Sequence, residues 1–156
     1  MLALRERTTM RADTLNCIPL EPRRMPPEDH DDLTRFFRKS GYPVQVDPTI
    51  AWGVWRGSEL AACVALSLEE DTWVLRGPEV LPDLRRRGIG ARLLAAAEPE
   101  LADRTIYCVA YSHLRHMYSS IGFRTCPPGE KPDLLRKRVN ALRAVGWDVT
   151  LLIRTE

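Results

Sequence analysis

The sequence predicts a mixed α/β (α+β) fold, with a mostly antiparallel central sheet flanked by helices on both faces. Three observations carry that expectation. Two apolar runs, Ile50–Trp55 and Leu60–Leu68, are separated by Arg56-Gly57-Ser58-Glu59 in the manner of a hairpin. A third run, Thr72–Val80, returns after the polar turn Glu69-Glu70-Asp71. The helix-forming stretch Ile89–Leu101 then leads to the apolar run Thr105–Ala110, and strand, helix, strand at this spacing implies a parallel crossover.

The remaining elements follow in order. Met1–Asp13 reads as a frayed, charged tail without the apolar region of a signal peptide. Thr14–Leu20 reads as a first strand closed by Pro22. Pro26-Pro27 open a helix whose first turn holds Glu28, Asp29, Asp31 and Asp32, where negative charge suits the dipole. Leu33, Phe36 and Phe37 form its apolar stripe, and Gly41 stops it. Tyr42–Pro48 is a loop. Pro99 is expected to loosen the end of the Ile89–Leu101 helix. Ser112 caps a short helix, Leu114–Ile121, which Gly122 ends, and Phe123–Cys126 begins another strand before Pro127-Pro128-Gly129 breaks it. Asp133 caps a helix carrying Leu135, Val139, Leu142 and Val145, with Gly146 as its stop, and Trp147–Ile153 is the last strand. No repeat or low-complexity segment interrupts this order, so residues 1–156 read as one domain.

Composition narrows the function classes. At 44% hydrophobic and 28% charged residues, the chain has the balance of a globular protein with a sizeable core. A formal net charge of +2 is too mild to argue for nucleic acid. No apolar run approaches the roughly 20 residues of a membrane span. Cys17, Cys63, Cys108 and Cys126 form no CxxC pair, and three of them lie in apolar runs, which reads as buried, reduced thiols in a cytoplasmic protein. Neither these cysteines nor His30, His113 and His116 show metal-ligand spacing, so no metal is expected.

The stretch that organises the rest is Val80–Ala91, VLPDLRRRGIGA, at a strand-to-helix turn. Two glycines let the backbone approach a ligand closely, and the following helix presents free N–H groups and the positive end of its dipole. Such a corner binds anions, phosphate above all, and three consecutive arginines add forked donors. It is neither a Walker A loop (GxxxxGK[ST]) nor a dinucleotide fingerprint (GxGxxG).

Arg85-x-x-Gly88-x-Gly90 resembles the [RQ]-x-x-G-x-[GA] signature of the GCN5-related N-acetyltransferase (GNAT) superfamily. Val80-x-Pro82 precedes it at the family spacing, and Tyr118-Ser119-Ser120-Ile121-Gly122-Phe123 matches the family's Y-x-x-x-G-F downstream. The resemblance is good over about residues 50–126 and loose at the ends. It implies a GNAT fold whose sheet splays between its fourth and fifth strands, Thr72–Val80 and Thr105–Ala110, and acetyl-CoA as cosubstrate. The pyrophosphate would sit on backbone N–H groups of Arg86, Arg87, Gly88, Ile89, Gly90 and Ala91, with Arg85 adding charge. The Val80 N–H would polarise the acetyl carbonyl, and Tyr118 would be the general acid that protonates the leaving thiolate. A phenol of pKa about 10 can do so for a thiol of pKa about 8.5 when the two are held together.

The residues leave the general base open. Strand alternation sets Pro78, Arg76 and Val74 on the side of Val80 and turns Glu79 the other way, while Glu69, Glu70 and Asp71 fall in the preceding turn. Relatives often place Glu or His at the matching strand positions, and this chain does not. Arg76 reads equally as a substrate-binding residue for an anionic group such as a carboxylate or as a salt bridge within the sheet. Two more departures are Tyr111, where many relatives carry Asn, and the additional helix 133–145, which is a candidate to line the substrate side. His113 and His116 read as helix-surface residues. The expected activity is acetyl-CoA-dependent N-acetyl transfer to the primary amine of a small molecule, a carboxylate-bearing one being an option. The alternatives are a non-catalytic acyl-CoA-binding module or transfer to a protein amine; a nucleic-acid partner is the weakest reading, no membrane partner is expected, and a homodimer is compatible with the sequence.

Overall fold

In the computed structural model, which describes residues 20–155, seven strands form one sheet. They are β1 (Arg23–Arg24), β2 (Ile50–Arg56), β3 (Glu59–Glu69), β4 (Thr72–Val80), β5 (Ile106–Tyr111), β6 (Arg124–Thr125) and β7 (Val149–Arg154). Their order across the sheet is β1-β2-β3-β4-β5-β7-β6, and every neighbouring pair is antiparallel except the parallel pair β4 and β5. The mixed, mostly antiparallel sheet expected from the sequence is therefore present.

Four helices cover it: α1 (His30–Lys39), α2 (Ile89–Leu101), α3 (Arg115–Ser119) and α4 (Asp133–Ala144). Period-2 alternation sends the two sets of strand side chains to opposite faces. Leu66, Leu75, Ile106, Cys108 and Leu152 pack with Leu93, Leu94 and Ala97 of α2 and Tyr118 of α3. On the other face, Ala51, Cys63 and Ala65 pack with Leu33, Phe36 and Phe37 of α1. Further along that face, Val74, Val149, Leu151 and Ile153 pack with Leu135 and Val139 of α4. The helices α2 and α3 on one face and α1 and α4 on the other are thus separated by the sheet itself. Among the described residues no helix is long and apolar enough to cross a membrane.

Several boundaries differ from the sequence reading. The charged tail, most of the Thr14–Leu20 strand and Cys17 lie outside the described residues; Leu20 is irregular, and the first described strand is β1. Pro99 sits inside α2, which continues to Leu101. Ser112 does not cap α3: its hydroxyl donates to Asp148 Oδ1 at 2.8 Å, and a turn of 3₁₀ helix, Ser112–Leu114, precedes Arg115. Asp133 is the first residue of α4 and pairs with Arg136, with Pro132 in the capping position.

Candidate active site

The site begins where the sheet comes apart. β4 and β5 pair only at Trp73 with Ile106 and Val74 with Tyr107, and from there the strands diverge. The Leu81 N–H donates to Ala61 C=O at 2.9 Å on the β3 side. That bond makes Val80 and Ala62 a non-hydrogen-bonded pair, so the Val80 N–H turns away from β3 and into the gap. A cleft of about 790 Å³ runs through the gap, within the usual range of ligand sites.

The strand-to-helix corner forms one end of this cleft. Arg85, Arg86, Gly88, Ile89, Gly90 and Ala91 line it; Arg87 does not. Gly88 has φ +78°, a left-handed conformation that favours glycine, and Arg86 also has positive φ, at 65°. The first intrahelical bond joins Arg92 N–H to Gly88 C=O, so the N–H groups just before it have no helical acceptor. Among the described residues no side chain caps this end of α2. At Gly90, a Cβ would come within 3.3 Å of Pro78 Cγ and 3.5 Å of Met117 Sδ, so the missing side chain lets α2 approach β4 closely. Arg85, its side chain 54% exposed, donates from Nε to Val80 C=O at 3.1 Å and approaches Glu79 at 3.5 Å.

Tyr118 is brought to the same gap from α3. Its hydroxyl donates to Gly77 C=O at 2.6 Å, and the ring is packed against Phe123 edge-on. Burial, reinforced by neighbouring Cys108, pushes its pKa well above the ordinary tyrosine value, so the phenol holds its proton. Burial also pushes the Cys108 thiol up to about 12 and raises the Cys63 thiol well above its usual range. Neither is a thiolate at neutral pH.

The sequence-based alternation fails within β4 itself. Ala65 pairs with Arg76 and Cys63 with Glu79, so Val64 faces two residues, Gly77 and Pro78, across a β-bulge. The extra residue resets the alternation. Arg76 and Glu79 share the face of Ala65 and Cys63, whereas Val80 lies on the face of Ala62. Arg76 is therefore on the opposite face from Val80, and Glu79 joins Arg76 rather than opposing it. All three line the cleft. Burial raises the Glu79 carboxyl pKa and the positive charge of Arg85 works against that rise.

Arg76 is almost fully buried, at 2% exposure, and clasps Glu69 through Nε at 3.1 Å and Nη2 at 2.8 Å. Glu69 also accepts from Arg138 Nη2 of α4 at 2.9 Å, and it is the last residue of β3, not part of the turn where the sequence reading put it. Tyr42, from the loop after α1, lines the same region; burial raises its phenol pKa and the Arg76 charge opposes the shift. At the other end of β5, Tyr111 stacks on Trp147 at 5.6 Å and on His113 at 5.7 Å, and all three line the cleft.

The structure thus brings together Val80, Arg85, Arg86, Gly88, Ile89, Gly90, Ala91, Arg76 and Tyr118, and leaves Arg87 outside the lining. Sequence reasoning missed Glu79, Tyr42, Arg138 and His113 as cleft residues. The signal for Glu79 was available: Gly77-Pro78 inside a strand marks a bulge. Tyr42 and Arg138 come from elements far along the chain and carried no local signal, although the additional helix 133–145 was a candidate for the substrate side.

The profile of the acetyltransferase (GNAT) family matches residues 12–123. Among curated proteins none matches the sequence. Solved structures share the fold at low identity. Escherichia coli ElaA superposes with TM-score 0.62 at 17% identity, over 88% of this chain and 100% of that one. An acyl-CoA N-acyltransferase from Pseudomonas aeruginosa gives 0.59 at 19%, over 88% and 100%. The N-acetylglutamate synthase of Neisseria gonorrhoeae, solved with coenzyme A and N-acetyl-glutamate, gives 0.58 at 20% over 88% of this chain; the chain spans 35% of that protein's length.

Proposed function

This chain belongs to the GNAT acetyltransferase family, and from that premise we propose that it is an acetyl-CoA-dependent N-acetyltransferase acting by direct attack of a small-molecule primary amine. The observation that carries the proposal is that an anion corner, a gap-facing amide, a buried phenol and a perturbed carboxylate line one cleft. The N–H groups before Arg92, which lack a helical acceptor, and the close approach at Gly90 fit a pyrophosphate, which Arg86, Gly88, Ile89, Gly90 and Ala91 would hold with charge from Arg85. Acetyl-CoA would supply the activated acyl group as a thioester.

The protein's own groups then have separate tasks. Glu79 accepts the proton that the attacking nitrogen loses, and its raised pKa makes it a better base than an exposed carboxylate. The Val80 N–H donates to the carbonyl oxygen as negative charge develops there. Tyr118 gives its phenol proton to the departing sulfur; the C–S bond breaks as the N–C bond forms. The high thiol pKa values of Cys63 and Cys108 speak against an acyl-cysteine intermediate.

Thiol release from acetyl-CoA across a panel of amines, amino acids and short peptides tests this. The expected result is release that depends on a small amine and falls by about 10²–10⁴-fold in Glu79→Gln. If acetyl-CoA binds by calorimetry but no amine accelerates thiol release, the chain is a binding module. Release only with peptide N-termini would make the acceptor a protein amine.

A further inference from the structure

Two guanidinium groups and one carboxylate meet on the cleft wall formed by β4 and α4. Arg76 and Arg138 both bond to Glu69, which itself does not line the cleft. The cluster carries one uncompensated positive charge beside groups that are nearly shut off from water: the Arg76 side chain is 2% and the Arg138 side chain 14% exposed. Glu69 takes Nε and Nη2 of Arg76, and the Tyr42 phenol lies against the same guanidinium. Arg138 Nη1 is fully buried and has no partner among the described residues. A buried guanidinium with open donors is unfavourable unless an acceptor completes it.

We propose that Arg76 and Arg138 form a carboxylate-binding subsite, so that the acceptor is an amino acid or a similarly short amine carrying a carboxylate. This rests on the acetyltransferase reading above and names its substrate class. A carboxylate offers the planar, bidentate partner that forked guanidinium donors match. The placement also sets amine and carboxylate apart by a short span. Glu79, which would take the amine proton, lies just across the bulge from Arg76 on the same face of β4. That face is opposite the one carrying Val80 and α2, so the two substrates would meet from the two sides of the sheet. Glu69 is then a positioning residue: it orients both guanidiniums without touching the ligand.

The test compares free amino acids with their carboxamides and their decarboxylated amines at saturating acetyl-CoA, in wild type and in Arg138→Gln. Arg138 is chosen because Arg76 is buried deeply enough that its replacement threatens folding. Wild type should favour the free acids, and Arg138→Gln should lower kcat/KM for them by about 10–100-fold, well beyond any loss for the carboxamides and the decarboxylated amines. Arg138→Lys, which keeps the charge but not the fork, should fall between. A second readout is calorimetric titration of N-acetyl amino acids in the presence of coenzyme A, which should weaken in the same variant by a similar factor. Equal use of acids, carboxamides and amines by wild type, or an equal loss for all three in Arg138→Gln, overturns the subsite. If no amine is turned over but N-acetyl amino acids still bind in an Arg138-dependent way, the subsite stands and the acetyl-transfer reading fails.

Discussion

Replacing Tyr118 by Phe removes one hydroxyl and keeps the ring in its packing against Phe123. The hydroxyl has two roles in this structure, and their sizes differ enough to be separated. As a structural group it donates to Gly77 C=O at 2.6 Å in a buried setting. A hydrogen bond of this kind contributes about 1 kcal/mol net, rising to about 3 kcal/mol if the orphaned carbonyl finds no water. In a chain of 156 residues that is a fall in Tm of about 2–10 °C. As general acid it lowers the barrier to thiolate departure, an effect of about 10²–10⁴-fold, or about 2.7–5.5 kcal/mol. The assay is kcat by thiol release at a temperature well below the variant's Tm, with acetyl-CoA affinity measured separately by calorimetry. The expected outcome is a kcat loss in that range, a modest Tm loss and unchanged affinity. Full kcat in the folded variant refutes the acid role. A shift in the low-pH limb of the rate profile refutes it too, because the hydroxyl would then be acting through the bulge on Glu79.

Glu79 should give that limb. Its raised pKa means activity rises as pH passes through a value above the ordinary carboxylate range, and Glu79→Gln should abolish the dependence along with most of the rate. Stability moves the opposite way. Below the unfolded value of about 4.3 the carboxyl is protonated in both states, and its contribution is lost as pH rises through the raised folded pKa. The Tm of Glu79→Gln relative to wild type should therefore increase between about pH 4 and about pH 8, as read by thermal scans. Gly90→Glu should fold, because the added Cβ meets side-chain atoms alone, Pro78 Cγ at 3.3 Å, Met117 Sδ at 3.5 Å and Pro78 Cβ at 3.9 Å, yet it sets a carboxylate at the anion corner. Undiminished acetyl-CoA affinity by calorimetry would rule out pyrophosphate binding there. Arg76→Met should destabilise the fold by about 3 kcal/mol in urea titration, at the low end for a broken buried pair because Glu69 keeps Arg138. A loss below about 1 kcal/mol would mean the Arg76–Glu69 pair is dispensable.

The parts legible in the sequence were those specified locally. The hairpins, the crossover helix and the anion corner are each written in a few consecutive residues, so period and glycine spacing sufficed. Tyr118 was reached through the resemblance of Tyr118-x-x-x-Gly122-Phe123 to the family motif, which is local as well. The face assignment in β4 failed because period-2 alternation assumes an unbroken ladder, and the bulge at Gly77 and Pro78 breaks it. One misplaced residue was enough to hide Glu79. Arg138 was illegible for a different reason. It reaches Glu69 across 69 positions of sequence, and no local pattern in a helix distinguishes a buried arginine from a solvated one. The loop residue Tyr42 shares that difficulty.

The two residue pairs joining β4 to β5 make the sheet a pair of jaws, four strands on one side and three on the other. A bond over the gap, the helices packed across the vertex and the vertex itself fix their spread. There, Arg104 lies over the Trp73 ring at 4.6 Å while its Nη1 donates to Glu100 C=O at the end of α2. Arg154 ties β7 to the Ile121 and Leu101 carbonyls at 2.8 and 2.9 Å, and the Tyr118–Gly77 bond pins the opening itself. Side-chain volume at Trp73 or Ile106 therefore sets the aperture further along, much as a shim at a hinge sets the gap at the far edge of a door. The separation of Val80 from Tyr118 can be tuned by residues that never meet a substrate.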